Sequence, residues 1–283
     1  MLQSSFRFAA CLLAFGISAI GAPIAAQAQS FTLLDGNARV QLFPNTDATV
    51  RVFSIDNGPD NVFRANYYYR LGETAERALS TIGNGQFMPI GSNRLDVTFQ
   101  APSFTSLVSY ILQGGSAGSG RATLQESVSL TNTTAAAIAL TLFDYADYDL
   151  LFNQAVPDDQ AVVVQPGLIR QFDPLSTLLA STSVVPDRYE INFGLGGPVL
   201  FPILTRLNDA EPTVLSNTPA IGVPFPGTPA DVSFAYQWNL TLNPGQTFVL
   251  TSQKNIEAVP EPTTIGAMVA TAIGGAWLRR RRH

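Results

Sequence analysis

The stretch Ile138–Leu150, IALTLFDYADYDL, decides the fold. Ile138, Leu140 and Leu142 fall on every second position, with Ala139 and Thr141 between them. Successive side chains of an extended chain point to opposite faces, so this segment has one apolar face and reads as a half-buried strand. The same period recurs at Leu95, Val97 and Phe99, at Val128 and Leu130, and at Trp238, Leu240 and Leu242. Asn243-Pro244-Gly245-Gln246 then separates the last of these from TFVLT, and the Pro-Gly pair predicts a hairpin turn. Nineteen prolines and twenty-two glycines spread along the chain argue against a helical protein. The expected fold is all-β, an antiparallel β-sandwich of about 8–14 strands. Short helical turns are expected only over Glu73–Leu79 and near Asp149–Ala155. Gly114–Gly120 (GGSAGSG) reads as a flexible loop, and Pro219–Pro229 as an extended surface loop.

The ends of the chain are built differently. Arg7 precedes an apolar run from Phe8 to Ile20, and small residues lead to Ala26-Gln27-Ala28. This is the plan of a secretory signal peptide over residues 1–28, cut after Ala28 to leave Gln29 first. At the other end, Pro260-Glu261-Pro262 excludes helix and leaves an extended peptide. The apolar segment Thr263–Leu278 follows, sixteen residues long and close to the shortest transmembrane helix. Arg279, Arg280, Arg281 and Arg282 close it with a basic cluster that the positive-inside rule holds in the cytoplasm.

Those three parts, in that order over residues 259–283, resemble the PEP-CTERM sorting signal of bacterial exported proteins. The resemblance implies processing by an exosortase, a membrane-embedded, cysteine-protease-like enzyme, with the helix holding the protein at the inner membrane beforehand. It also implies a bacterial envelope with an outer membrane, and exopolysaccharide as a candidate partner. Residues 108–151 resemble a segment of other β-proteins with such tails, in which a Gly-rich loop precedes a strand pair and an aromatic, acidic ending. No activity attaches to that second resemblance.

Composition removes many functions from the body, residues 29–258. Eleven basic residues stand against twenty acidic ones there, a net charge near −9, so no basic stripe awaits nucleic acid. Cys11 is the only cysteine and His283 the only histidine, and both lie outside the body. Disulfides, thiol nucleophiles, Ser-His-Asp triads and His- or Cys-ligated metals are therefore excluded within one chain. No cofactor is expected. The body reads as one large β domain or two small ones.

Asp144-Tyr145-Ala146-Asp147-Tyr148-Asp149 is the densest acidic and aromatic cluster. Strand parity puts Asp147 and Asp149 on one face and Asp144 on the other. The three are candidate ligands for Ca²⁺, which binds hard oxygens, although the EF-hand pattern lacks its glycine and its final glutamate. Asp158-Asp159 could contribute from the next loop. A solvated strand end is the plainer reading. The same aspartates are candidates for a glycosidase acid–base pair. Tyr67-Tyr68-Tyr69-Arg70 and Trp238 could stack on sugars, but core packing with one tyrosine outward is the simpler expectation. Asn132-Thr133-Thr134 and Asn239-Leu240-Thr241 match the N-x-T pattern and are given no role. The expectation is an exported, non-enzymatic surface or matrix protein, delivered to the cell surface or the extracellular space. The alternatives are a secreted carbohydrate-active enzyme using Asp carboxylates, and a permanently anchored envelope protein.

Overall fold

The computed structural model describes residues 29–258 apart from 47–48, 84, 152–157 and 195–201. The expected signal peptide and the sorting tail with its short transmembrane helix lie outside the described residues. Among the described residues no helix is long and apolar enough to cross a membrane.

The chain opens with β1 (Phe31–Asp35), β2 (Ala38–Leu42), β3 (Val50–Ile55), β4 (Arg64–Leu71) and the short β5 (Arg77–Ala78). A run of sheet-building strands follows: β6 (Gln86–Ile90), β7 (Arg94–Gln100), β8 (Phe104–Gly114), β9 (Arg121–Asn132) and β10 (Ile138–Asp147). Beyond these come β11 (Asp159–Gln165), β12 (Leu168–Phe172), β13 (Ser176–Thr182), β14 (Arg188–Phe193) and helix α1 (Pro202–Arg206). The last strands are β15 (Phe225–Ala230), β16 (Val232–Leu242) and β17 (Thr247–Ala258). They form two antiparallel sheets. One runs β1-β2-β3-β4-β10-β16-β14 with β5 beside β4; the other runs β15-β11-β12-β13-β17-β9-β8-β7-β6.

The all-β sandwich stands, and its inner faces follow the alternation. Leu95, Val97 and Phe99 point inward from β7, Val128 and Leu130 from β9, and Leu140 and Leu142 from β10, all buried in one core. The structure has more strands than expected because several edge strands are short. Glu73–Leu79 is not helical; β5 and a 3₁₀ turn (Leu79–Thr81) occupy its end. The Pro-rich stretch is not all loop either, since β15 begins at Phe225 and pairs with β11.

Two corners differ from the sequence reading in a way that shapes the molecule. Asn243–Gln246 does not close a hairpin: β16 lies in the first sheet and β17 in the second. The turn after β9 also crosses, in the opposite direction, because β9 lies in the second sheet and β10 in the first. Asn132, fully buried, ties both corners: its Nδ2 donates to Ala136 O (2.7 Å) and Leu242 O (2.8 Å), and its Oδ1 accepts from Thr134 N (2.8 Å). The Asn132 sequon is thus a corner brace.

The glycine loop is anchored at several points. Asp56 accepts from Gly118 N (2.6 Å) and Gly120 N (2.8 Å), and Asn37 Oδ1 accepts from Gly115 N (2.7 Å). A Cβ on Gly114 would lie 1.8 Å from the Asp35 carbonyl oxygen, a backbone atom with nowhere to go. Gly114→Ala is therefore expected to cost about 1–3 kcal/mol, as overpacking does, read as a lowered midpoint in urea unfolding.

The outer face of the first sheet is covered. Tyr68, Phe143, Tyr145 and Ala235 pack there against Ile203 and Leu204 of α1 and against Leu207 and Leu215. Arg70 pairs with Glu76 (3.0 Å), and Arg206 with Glu190, along the same face.

Candidate functional site

Strand parity places Asp144 on the inner face of β10, opposite Tyr67 of β4 and Tyr236 of β16. Directly across the sandwich, β17 turns Ser252 and Lys254 inward. Lys254 Nζ donates to Asp144 Oδ2 (2.7 Å) and to Ser252 Oγ (2.7 Å), and Ser252 Oγ donates to the same carboxylate oxygen (2.8 Å). Lys254 is fully buried. Glu126, from β9, joins them and accepts from Tyr67 Oη (2.8 Å). Burial raises the Glu126 carboxyl to about 7, with Asp144 pushing the same way and Lys254 opposing. One lysine faces two carboxylates in a dry interior, so the second carboxyl tends to keep its proton. Tyr67, Tyr110, Tyr148 and Tyr236 enclose this group, each phenol raised by its burial. The network bonds the two sheets together, and all four of its polar side chains are buried. Tyr67, Tyr68, Tyr69 and Trp238 are all buried, so none of them offers a face for sugar stacking.

Asp147 sits on the opposite face of β10, at its end. It converges with Asp149 and with Asp231, which precedes β16, so that one oxygen from each lies within 4.8 Å of the others. The register explains the arrangement: Asp147 is opposite Ser233, two residues past Asp231. A Cβ on Gly194 would stand 2.2 Å from Asp231 Oδ1 and 2.9 Å from Asp147 Oδ1, so both carboxyls crowd a position that only glycine fits. Asp147 is 1% exposed; its Oδ2 accepts from Tyr145 Oη (3.2 Å), while its Oδ1 is buried with no hydrogen-bond partner. Burial pushes the Asp147 carboxyl well up, Asp231 and Asp149 push it further, and Arg64 opposes. Asp149 is raised to about 6 by burial and by Asp60.

A second acidic group adjoins the first. Asp159 at the start of β11 and Asp173 just past β12 come together with Asp158. Of the aspartates singled out from sequence, Asp147 and Asp149 meet, while Asp144 is engaged by Lys254 across the core. Asp231 could not be read as their partner, because it is far off in sequence and only the pairing of β10 with β16 brings it near. Gln29 begins the described chain, its N–H donating to Asn45 Oδ1 (3.1 Å). Ala26, Ala28, Pro260, Glu261, Pro262 and Arg279–Arg282 lie outside the described residues. A polar hollow of about 730 Å³ lies beside the glycine loop, lined in part by Asn37, Arg39, Asp56 and Asn57, but its one carboxylate, Asp56, holds the loop.

No protein-family model matches the chain, and no curated protein matches it by sequence. Solved structures do share its architecture. A galactose mutarotase related enzyme from Lactobacillus acidophilus aligns over 82% of this chain and 98% of its own, at 7% identity and a TM-score of 0.54. An Escherichia coli K12 protein provisionally assigned as an aldose 1-epimerase aligns over 82% and 99%, at 11% identity and a TM-score of 0.51. A bacterial glucoamylase solved with acarbose matches 87% of this chain with 34% of its own, at 7% identity and a TM-score of 0.53. These likenesses are of fold. They overturn the expectation of a non-enzymatic surface protein, because the architecture that suggested a passive sandwich is the one these sugar enzymes use.

Proposed function

We propose that the chain is a carbohydrate-active enzyme whose Asp147 and Asp149 work as an acid–base pair on a sugar, with Asp231 beside them. The observation that carries this reading is the convergence of three aspartates, one of them 1% exposed with a carboxyl oxygen left without a partner. The sugar enzymes among the fold neighbours support it.

The body has no histidine or cysteine, which leaves carboxyl groups as the leading candidates for the proton transfers. Burial pushes the Asp147 carboxyl well up and so favours its protonated form, whereas Asp149, at about 6, is mostly ionised at neutral pH. Two groups whose surroundings drive their proton affinities apart divide the roles of acid and base. Asp147 gives its proton to a ring or glycosidic oxygen as the bond to the anomeric carbon breaks. Asp149 takes a proton from the anomeric hydroxyl or from the attacking water. Oxygens within 4.8 Å leave no place for the water that inverting pairs hold between carboxyls about 6.5–9.5 Å apart. That spacing favours proton exchange on a single sugar, or a retaining route. An exported location fits the A-x-A site ending at Ala28 and the tail beginning at Val259.

The test is aldose mutarotation followed by polarimetry, together with release of reducing ends from a panel of polysaccharides. Asp147→Asn and Asp149→Asn should each lower kcat/KM by about 10²–10⁴-fold, with the near-UV circular dichroism of the wild type retained. Turnover that survives both substitutions, or no turnover of any sugar by the wild type, would sink the reading.

A further inference from the structure

The geometry points to a Ca²⁺ site at Asp158, Asp159 and Asp173, stapling the segment after β10 to the β11–β12 hairpin. It is separate from the acid–base pair and carries no catalytic step.

Each of its best-defined side chains has one polar atom locked by the protein and one oxygen left over. Asp159 Oδ2 accepts from Gln171 Nε2 (2.7 Å) and Leu150 N (3.3 Å), while its Oδ1 has no hydrogen-bond partner. Asp173 Oδ1 accepts from Leu175 N (2.8 Å), Ser176 Oγ (2.7 Å) and Ser176 N, while its Oδ2 has none. Gln171 Nε2 donates to Asp159 and to the Tyr148 carbonyl, which fixes the amide, and its Oε1 is left without a partner. Asp159 and Gln171 are both 0% exposed. Buried polar atoms are nearly always satisfied, so three orphaned oxygens on neighbouring, immobilised side chains call for a missing partner.

That partner is a cation. The charges acting on Asp159 are Asp173 and Asp149, and Asp158 acts on Asp173, so all are negative. Three carboxylates gather there, and a buried amide oxygen adjoins them. All are hard oxygens, with no imidazole or thiolate in the body to recruit a softer metal. One oxygen from each aspartate lies within 4.8 Å of the others. Oxygens on opposite sides of a Ca²⁺, at about 2.3–2.6 Å from it, stand about 4.6–5.2 Å apart, so the cluster has the span of a Ca²⁺ shell. Mg²⁺ needs a tighter octahedron and keeps its waters. The ligand side chains are themselves held by the segment leaving β10, since Leu150 N donates to Asp159 and Gln171 to the Tyr148 carbonyl, so the ion would fix the point where that segment meets the β11–β12 hairpin.

The experiment is calorimetric titration of chelator-treated protein with CaCl₂, and separately with MgCl₂, with melting curves in each state. At a hundredfold excess of Ca²⁺ over its dissociation constant the melting point should rise by about 5–10 °C, with Mg²⁺ giving a smaller response. Asp159→Asn should abolish the Ca²⁺ response while leaving the metal-free melting point unchanged or higher, since it removes an acidic group whose ionisation burial and the neighbouring aspartates oppose. A residue with only a structural role would instead lower the melting point in both states. Asp147→Asn should keep the full response. Absence of Ca²⁺ heat in the wild type, an undiminished response in Asp159→Asn, loss of it in Asp147→Asn, or an equal response to Mg²⁺ would each overturn the assignment. None of these readouts needs a sugar, so they stand or fall apart from the proposed enzyme activity.

Discussion

Lys254→Met is expected to lower the unfolding free energy by about 3–5 kcal/mol, the usual cost of removing one partner from a buried ion pair. The lysine is 0% exposed, and its ammonium group is 2.7 Å from both Asp144 Oδ2 and Ser252 Oγ. Methionine fills much the same space, so little packing is lost. What remains is Asp144, 1% exposed, with Glu126 close by and no cation between them. Urea unfolding at pH 7 would read the loss as a lower midpoint with an unchanged slope. The double variant Lys254→Met/Asp144→Leu should recover most of it, because replacing both partners by apolar groups removes the stranded charge. If the double variant is as weak as the single one, the lysine acts through packing and not through its charge.

The second large effect is a dependence of stability on pH to which Glu126 contributes. Its carboxyl stands at about 7 in the folded protein, raised from the 4.5 of an unburied glutamate. The folded state therefore binds the proton more tightly than the unfolded chain does. The stability this confers is fully present below about 4.5 and is lost as pH rises through about 7, a change of about 3 kcal/mol. Unfolding free energies measured in chelator should fall between pH 5 and pH 8. Glu126→Gln keeps an acceptor for Tyr67 Oη and cannot ionise, so it should lose less stability over that interval than the wild type, by about 3 kcal/mol. Asp147, Asp149 and Asp159, the last raised to about 8 by burial, move in the same direction and leave a residual slope in the variant. Equal slopes in the two proteins would place the titration elsewhere.

The inward faces of β7, β9 and β10 were legible because alternation reports which side of a strand is dry. Alternation does not report which sheet the strand joins. The turns at Asn132 and at Asn243–Gln246 therefore read as ordinary connections, although both cross between sheets. Lys254 shows the opposite situation, a legible signal overruled by habit. It has the same parity as Leu250 and Ile256, both buried, which places it inward. Lysine's usual exposure hides that inference unless an inward carboxylate is sought, and Asp144 is one. Parity also separated Asp144 from Asp147 and Asp149. Asp231 and Asp173 were out of reach, because long-range pairing and not spacing brings them to their partners. The glycine loop looked free because its composition says so, while its anchors, Asn37 in the β1–β2 turn and Asp56 just past β3, belong to the other sheet and lie far off in sequence.

β17 is the last strand in chain order, yet it sits inside the second sheet, hydrogen-bonded to β13 on one side and β9 on the other. A chain that emerges from its amino terminus onward has everything through β16 available while this slot stands vacant. Until Thr247–Ala258 arrives, the halves of the second sheet are unjoined, and Asp144 and Glu126 face each other without the body's only lysine. Closure of the core is thus reserved for the final dozen residues of the domain. Completion of the domain, more than accumulation of length, sets the moment at which this molecule becomes folded.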